Sequence, residues 1–373
     1  MRPRSILVSR APLASFAVLG AIVAMVAMVA MVAISACSSF SSDADPVADA
    51  GPDALVFIDA GDAATSADGS GAEAGSAATV LASGYAKLTA VAATETSVYF
   101  SDGMGGGIFE VSLENGGAVI TRYPVGTSAP TSLAVTSDGT IYFAEYGQKR
   151  LGSIPPVGST STILAGGGVA PVAIALGTST LSSGGSPVRL VVGALVDANP
   201  TSVVQHYDGD LELQSSTPDA KNVFDVAVHA GSAYWTDAAA GTLFRSLLDG
   251  AGAMPFAAGE QDCQSVAVDA VGVYWTRPMN KLVRMQLTTS AGPKSLATNE
   301  QDPRSVTADA SGVYWMTADG KVRRSARNET PAQTIYQGFN GTFTNPYSRT
   351  LALTSKYVVW ITGDGKVLRL AKP

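Results

Sequence analysis

From Val80 to the C-terminus, apolar and polar residues alternate in short runs, each closed by Gly, Asp or Ser. A period of two is the signature of β-strands, because successive side chains leave opposite faces of a pleated chain. The runs also recur as a group. Tyr234-Trp235, Tyr274-Trp275 and Tyr314-Trp315 fall 40 residues apart. An apolar strand precedes each pair: Val226-Ala227-Val228-His229, Val266-Ala267-Val268-Asp269 and Val306-Thr307-Ala308-Asp309. After each pair come a turn and a third strand carrying Arg: Leu243-Phe244-Arg245, Leu282-Val283-Arg284 and Val322-Arg323-Arg324.

Weaker copies extend the series. Leu88 to Ala93 leads into Tyr99-Phe100, and Leu133 to Thr136 leads into Tyr142-Phe143. Leu351 to Thr354, with Val359-Trp360 and Val367-Leu368-Arg369, closes the chain. Phe100, Phe143, Trp235, Trp275, Trp315 and Trp360 thus share one repeat position, and Arg245, Arg284, Arg324 and Arg369 are expected to share another at fixed register. A gap of about two periods is filled by Val172 to Leu176 and Leu190 to Val192, a divergent repeat with an insertion, which brings the count to seven. Short strands in a repeat of about 40 residues describe a blade that cannot bury its own faces without neighbours. The expected fold is therefore all-β: a β-propeller of seven four-stranded blades. The last repeat stops after its third strand, and Thr79-Val80-Leu81-Ala82-Ser83 resembles the fourth-strand segments Thr162 to Ala165 and Lys294 to Ala297. This N-terminal strand is expected to complete the last blade and close the ring, leaving no open edge.

Tyr234-Trp235-Thr236-Asp237, followed by Arg245 and Leu248-Asp249-Gly250, resembles a repeat of the YWTD propellers of low-density lipoprotein receptors. More broadly, the region from Val80 onward is similar to bacterial NHL-like and YWTD-like propeller lipoproteins. Ser101-Asp102, Ala144-Glu145, Thr276-Arg277 and Met316-Thr317 depart from the Thr-Asp of the motif. YWTD domains usually have six blades, so the count of seven also departs, and the resemblance carries fold further than partner.

Charge divides the chain. Arg2, Arg4 and Arg10 precede an uncharged, mostly apolar run from Ala11 to Ala36, a positive n-region followed by an h-region. Ile34-Ser35-Ala36-Cys37 resembles the lipobox of bacterial lipoproteins. That resemblance implies cleavage before Cys37, acylation of Cys37 and, with Ser38 next, the outer membrane. An uncleaved signal anchor is the other reading, since the apolar run is long enough to span a bilayer. From Ser38 the chain is rich in Ser, Ala, Gly and Pro and carries eight acids, Asp43 to Glu73, with no Lys or Arg before Lys87. Such a segment cannot bury enough apolar surface to fold alone and reads as an extended, acidic tether. The division is 1–36 signal peptide, 37–78 tether and 79–373 propeller. Outside the first two segments, 23 acids face 21 bases, and no basic stripe invites nucleic acid.

Candidate chemistry is sparse. The two histidines are His206 and His229. His229 stands where Asp269 and Asp309 stand in sister repeats and reads as a turn cap, while His206 has no second His nearby for a metal. Cys263 has no partner once Cys37 is lipidated and reads as a small buried hydrophobe. The four arginines read as packing elements paired with neighbouring acids. Binding residues are instead expected on the loops leading into each first strand, where Glu260-Gln261-Asp262 and Glu300-Gln301-Asp302 repeat with Gln264 and Arg304 beyond. The second-to-third-strand loops add Asp102, Lys149, Arg150, Arg277 and Asn280. Turn chemistry shared through duplication is the competing account of the repeated triplets. The expected function is a non-catalytic, membrane-anchored envelope lipoprotein whose propeller face binds a protein or glycan, without a cofactor. The alternative is a propeller enzyme, a lyase or a metal-assisted lactonase-type hydrolase in the periplasm.

Overall fold

The alternating runs become strands because each run has one side that only a neighbouring sheet can cover. The computed structural model describes residues 77–123, 130–158, 161–165, 168–178, 188–196, 201–279, 281–287, 292–327, 331–338 and 349–373. The expected signal peptide, Cys37, the expected tether as far as residue 76 and Asn280 lie outside the described residues. All seven sheets are four-stranded antiparallel meanders, so the chain forms a seven-bladed β-propeller. Blade 1 spans residues 88–123, blade 2 132–165, blade 3 169–220, blade 4 223–258, blade 5 266–297, blade 6 304–337 and blade 7 351–371.

The Tyr-Trp pair explains how the blades hold together. Adjacent residues of a strand point to opposite faces, so the two aromatics of one pair reach two different neighbours. Trp275 packs with Ala227, Tyr234 and Leu243 of blade 4, whereas Tyr274 packs with Val306 and Trp315 of blade 6. Trp315 lies against blade 5, Trp360 against blade 6 and Trp235 against blade 3. Phe143 and Phe100 play the same part against blades 1 and 7. All six rings are essentially without exposed surface, none above 2%.

Blade 3 departs in a way its sequence explains. Its strands Val169–Thr178 and Val188–Val196 are longer than their counterparts, and Val192 takes the tryptophan position, facing Tyr142 and Leu151 of blade 2. Gly193 then leaves room for blade 4: a Cβ there would sit 2.6 Å from Val223 Cγ1.

Thr79–Ala82 pairs antiparallel with Val367–Ala371, Thr79 opposite Arg369 and Val80 opposite Leu368, so the ring closes as the sequence implied. Leu81 and Ala82 are buried in the interface between blades 7 and 1.

One reading is corrected. Arg245, Arg324 and Arg369 stand opposite the tyrosine position of the second strand, at Tyr234, Tyr314 and Val359, but Arg284 stands opposite Trp275. The true counterpart of Arg284 is Arg323, opposite Trp315. The Trp and its cross-strand partner are nine residues apart in blades 4 and 5 but eight in blades 6 and 7, so Arg284, nine after its Trp like Arg324 and Arg369, lands one register step away, and a slip of one residue moves a side chain to the other face. Nor do all four pair with acids. Arg284 and Arg369 meet Glu260 and Glu114, while Arg245 donates to Ser232 Oγ and Arg324 to the Ser311 carbonyl.

Because Leu81 is buried and Val80 is 49% exposed on the same strand, Leu81→Ala is expected to cost about 2–5 kcal/mol. Val80→Ala is expected to stay within about 0.5 kcal/mol. Thermal unfolding of the two variants checks the closure: equal melting points would show that this strand does not hold the ring.

Candidate functional site

First strands line the centre of the ring and all run the same way, so the propeller has two distinct faces. The loops leading into first strands, and the second-to-third-strand loops, form the upper face. First-to-second and third-to-fourth turns form the lower face.

On the upper face the repeated Glu-Gln-Asp triplets divide their labour. Glu260 is 3% and Glu300 6% exposed. Trp275 Nε1–H donates to Glu260 Oε2 at 3.0 Å, and Arg277 and Arg284 reach the same carboxylate at 3.2 and 3.4 Å. Glu300 repeats the arrangement with Trp315 Nε1 at 2.9 Å and Arg323 at 3.1 Å. Each glutamate thus anchors its loop onto the blade's tryptophan. Asp262 and Asp302 take left-handed backbone, φ 61° and 47°, a conformation that short polar side chains tolerate. Their carboxylates pair with Arg277 and Arg304. Gln261 and Gln301 are left facing solvent. Gln264 is half-buried, and its carbonyl accepts from Thr236 Oγ1 of the preceding blade at 2.5 Å.

The Thr-Asp of the motif acquires a role here. Asp237, 1% exposed, accepts the backbone N–H groups of Lys221, Asn222 and Ala240 at 2.7, 3.0 and 2.9 Å. It clamps the lead-in loop to the second-to-third-strand loop. Asp102 does the same for Lys87 N and Met104 N, both at 3.1 Å, and the buried Glu145 pairs with Arg150. In blade 5 the signs are exchanged: Arg277 stands at this position and its acids, Glu260 and Asp262, come from the loop. Lys149 is exposed, with φ 53°.

Sequence reasoning missed the groups nearest the axis. A central tunnel of about 270 Å³ is lined by first-strand residues of all seven blades, mostly Ala, Val and Leu, and Arg349 is the charged side chain among them. Arg349, just before blade 7, donates to Asp225 Oδ1 at 2.7 Å and to the Val226 carbonyl at 2.8 Å. Blades 7 and 4 lie across the ring, so this pair bridges the tunnel mouth. Asp225 Oδ2 also accepts from Ser265 Oγ and Val266 N of blade 5 at 3.1 and 3.0 Å. The available signal was Asp225 standing where the sister repeats have Ser265 and Ser305.

Both histidines sit toward the lower face. His206 is 1% exposed, its Nδ1 is 3.0 Å from the Leu248 carbonyl, and burial lowers its pKa. His229 is half-buried on the wall of a cavity of about 790 Å³ that also includes Asp138, Tyr142 and Asp210. Burial, and then the charges of Asp210, Asp138 and Asp208, raise the Tyr142 pKa. Asp269 and Asp309 cap their turns by accepting from Val271, Gly272 and Ser311. Among the described residues no group of three or more His, Cys, Asp or Glu is placed to hold a metal ion. Cys263 is fully buried, and desolvation, reinforced by the charge of Asp237, pushes its thiol up to about 12; such a thiol is no nucleophile near neutral pH.

No family model and no curated protein matches this sequence. Among solved structures, the chain is similar to streptogramin B lyase, with 15% identity over 80% of this chain and 97% of that one, TM-score 0.56. It is similar to virginiamycin B lyase from Staphylococcus aureus, with 12% identity over 79% and 98%, TM-score 0.60. It is also similar to the WD40 β-propeller domain of Doa1, with 12% identity over 80% and 97%, TM-score 0.62. Identities this low show the fold alone.

Glu260→Ala orphans the Trp275 N–H and takes one partner from each of Arg277 and Arg284, and it is expected to cost about 1–3 kcal/mol. Gln261→Ala is expected to stay within about 0.5 kcal/mol; denaturant titration compares them, and equal losses would refute the division within the triplet.

Because the folded pKa of His206 is lowered, the unfolded chain binds its proton first on acidification. Stability contributed by neutral His206 is present above about pH 6.5 and is lost as pH falls below it. Melting temperatures between pH 7.5 and 5 should drop, and His206→Asn should flatten that slope; an unchanged slope would exclude His206 as its source.

Proposed function

We infer that this protein is a non-catalytic envelope lipoprotein, anchored through acylated Cys37, whose propeller binds a partner protein with its upper face. The observation that carries this reading is how the upper loops are held. Buried carboxylates at Asp102, Asp237, Glu260 and Glu300 fix the backbone of successive loops, and Arg349–Asp225 bridges the mouth of the tunnel. A face fixed before binding loses little entropy when a partner docks, which favours affinity. The likeness to a WD40 domain and to lyases is compatible with a binding or an enzymatic propeller, since function resides in sites and not in folds.

The chain joins the ring at Thr79, at the lower end of blade 7. For the enzymatic reading the lower cavity gathers titratable groups, His229, Asp138 and Tyr142. That reading takes two forms, a lyase or a metal-assisted lactonase-type hydrolase, and the second predicts a stoichiometric divalent ion in the purified protein.

Cys37→Ser is expected to move the protein from the detergent phase to the aqueous phase of a Triton X-114 partition. Mass spectrometry of the native form should show a diacylated or triacylated N-terminal Cys37; an intact Met1 would refute the anchor. Elemental analysis finding a bound divalent ion, lost with His229→Ala, would turn the assignment toward the enzyme.

A further inference from the structure

The outer part of the gap between blades 5 and 6 holds a cavity of about 460 Å³. Its walls are the fourth strand of blade 5, Lys294–Ala297, and the third strand of blade 6, Lys321–Ser325. Register fixes what each wall shows the other, because residues directly opposite in an antiparallel pair share a face of the sheet. Lys294 stands opposite Met285, which packs with Trp315 of blade 6, so Lys294 is on the side turned to blade 6. Arg323 stands opposite Trp315, which faces blade 5. Arg327 enters from the lower turn of blade 6, its guanidinium 5.6 Å from the centre of the Tyr274 ring. Three cations thus border one cavity.

The acids in reach do not balance them. Glu300 takes Arg323 at 3.1 Å and Asp269 takes Arg327, and no acid among the described residues pairs with Lys294, which is exposed. The flanking blades do without this charge: the matching place holds Met254 in blade 4, opposite Arg245, and Gln333 in blade 6, opposite Arg324. The Nε–H groups of Arg323 and Arg327 are buried with no acceptor. A buried donor left unpaired is costly, and a bound anion is one way to satisfy it. Arg284 and Arg324 share that feature, but neither lines this cavity. Beside the cations the wall is partly apolar, with Leu296 and Ala332 half-buried and Pro331 exposed.

We propose that this cavity binds a small organic acid, with a carboxylate or phosphate group set between Lys294 and the two arginines and an apolar body laid on Leu296, Pro331 and Ala332. Its volume lies in the range of small-ligand sites. Three like charges drawn into one gap repel, and an oxyanion supplies the missing counter-charge and the missing acceptor together. Arginine suits both head groups, since its fork of N–H donors matches carboxylate and phosphate alike. The site stands on the rim of the ring, apart from the upper face, and does not depend on that face binding anything.

The test titrates the full chain with phenyl phosphate and with phenylacetate by isothermal calorimetry, with benzylammonium and benzyl alcohol as cationic and neutral comparisons. At least one of the two acids should bind, its Kd rising as salt is added, and the tighter of them identifies the head group; neither comparison should bind. Lys294 is exposed, so its variants test the site without disturbing the core. Lys294→Glu should raise Kd about 10-fold or more, whereas Lys294→Arg, which keeps the charge, should retain most of the binding. Leu296→Ala should raise Kd several-fold and leave its salt dependence as it was, and the distant Lys356→Glu should change nothing. Hydrogen exchange should show the bound acid protecting Lys294–Ala297 and Lys321–Ser325. The proposal is overturned if neither acid binds, if benzylammonium or benzyl alcohol binds as tightly as the acids, or if Lys294→Glu binds them like the unaltered chain. Inorganic phosphate binding as tightly as phenyl phosphate would remove the apolar half of the site and overturn the organic ligand, and protection confined to the upper loops would overturn the location.

Discussion

Everything in this ring depends on the fact that a four-stranded sheet has two faces and only its neighbours can cover them. The chain meets that constraint with two adjacent residues per blade. Because the pleat sends neighbours to opposite sides, Tyr274 seals the gap toward blade 6 while Trp275 seals the gap toward blade 4. One dipeptide thus supplies half of two interfaces, and a blade that lacks it must compensate. Blade 3 does so with longer strands and with Val191-Val192, of which Val191 packs against Trp235 of blade 4 and Val192 against Tyr142 and Leu151 of blade 2. Closure through Thr79–Ala82 follows from the same constraint, since otherwise the outer edge of blade 7 and the face around Leu81 would both meet water.

The aromatic pairs then set the polar design of the upper face. A buried indole N–H is stabilised by an acceptor, and in blades 5 and 6 a carboxylate brought under the loop provides one. Once Glu260 and Glu300 are committed to Trp275 and Trp315, they need cations, and the third strand supplies Arg284 and Arg323. The loop above inherits the rigidity of the core beneath. The upper loops are therefore extensions of the inter-blade packing, and their exposed residues are held on fixed backbone.

Much of this was legible in the sequence for a physical reason: local repeats with a fixed period show up without knowing any long-range contact. The fold, the blade count, the divergent third repeat and the closing strand all follow from alternation, the 40-residue spacing and the truncated last copy. What failed to read was register and depth. Arg284 looks like Arg324 by position in its run, yet the hairpin before it is one residue longer, nine residues from Trp275 to its cross-strand partner against eight from Trp315, and that turned it to the other face. The Glu-Gln-Asp triplets looked like surface chemistry, because sequence alone does not tell a buried acid under an indole from an exposed one. Arg349 with Asp225 was the least legible, joining residues 124 apart in sequence across the ring.

That last pair also bears on what the ring can do. In a ring built from small first-strand residues, Asp225 replaces a serine whose hydroxyl elsewhere accepts the next blade's N–H, as Ser265 does from Val306 and Ser305 from Thr350. The carboxylate keeps that duty toward Val266 and adds a charge, which Arg349 neutralises from the far side. Such a bridge, about 28% and 13% exposed at its two side chains, draws modest Coulomb energy but ties opposite sides of the ring together. It ties the chain entering blade 7 to blades 4 and 5, so the tunnel mouth is braced from opposite sides of the ring by a single carboxylate.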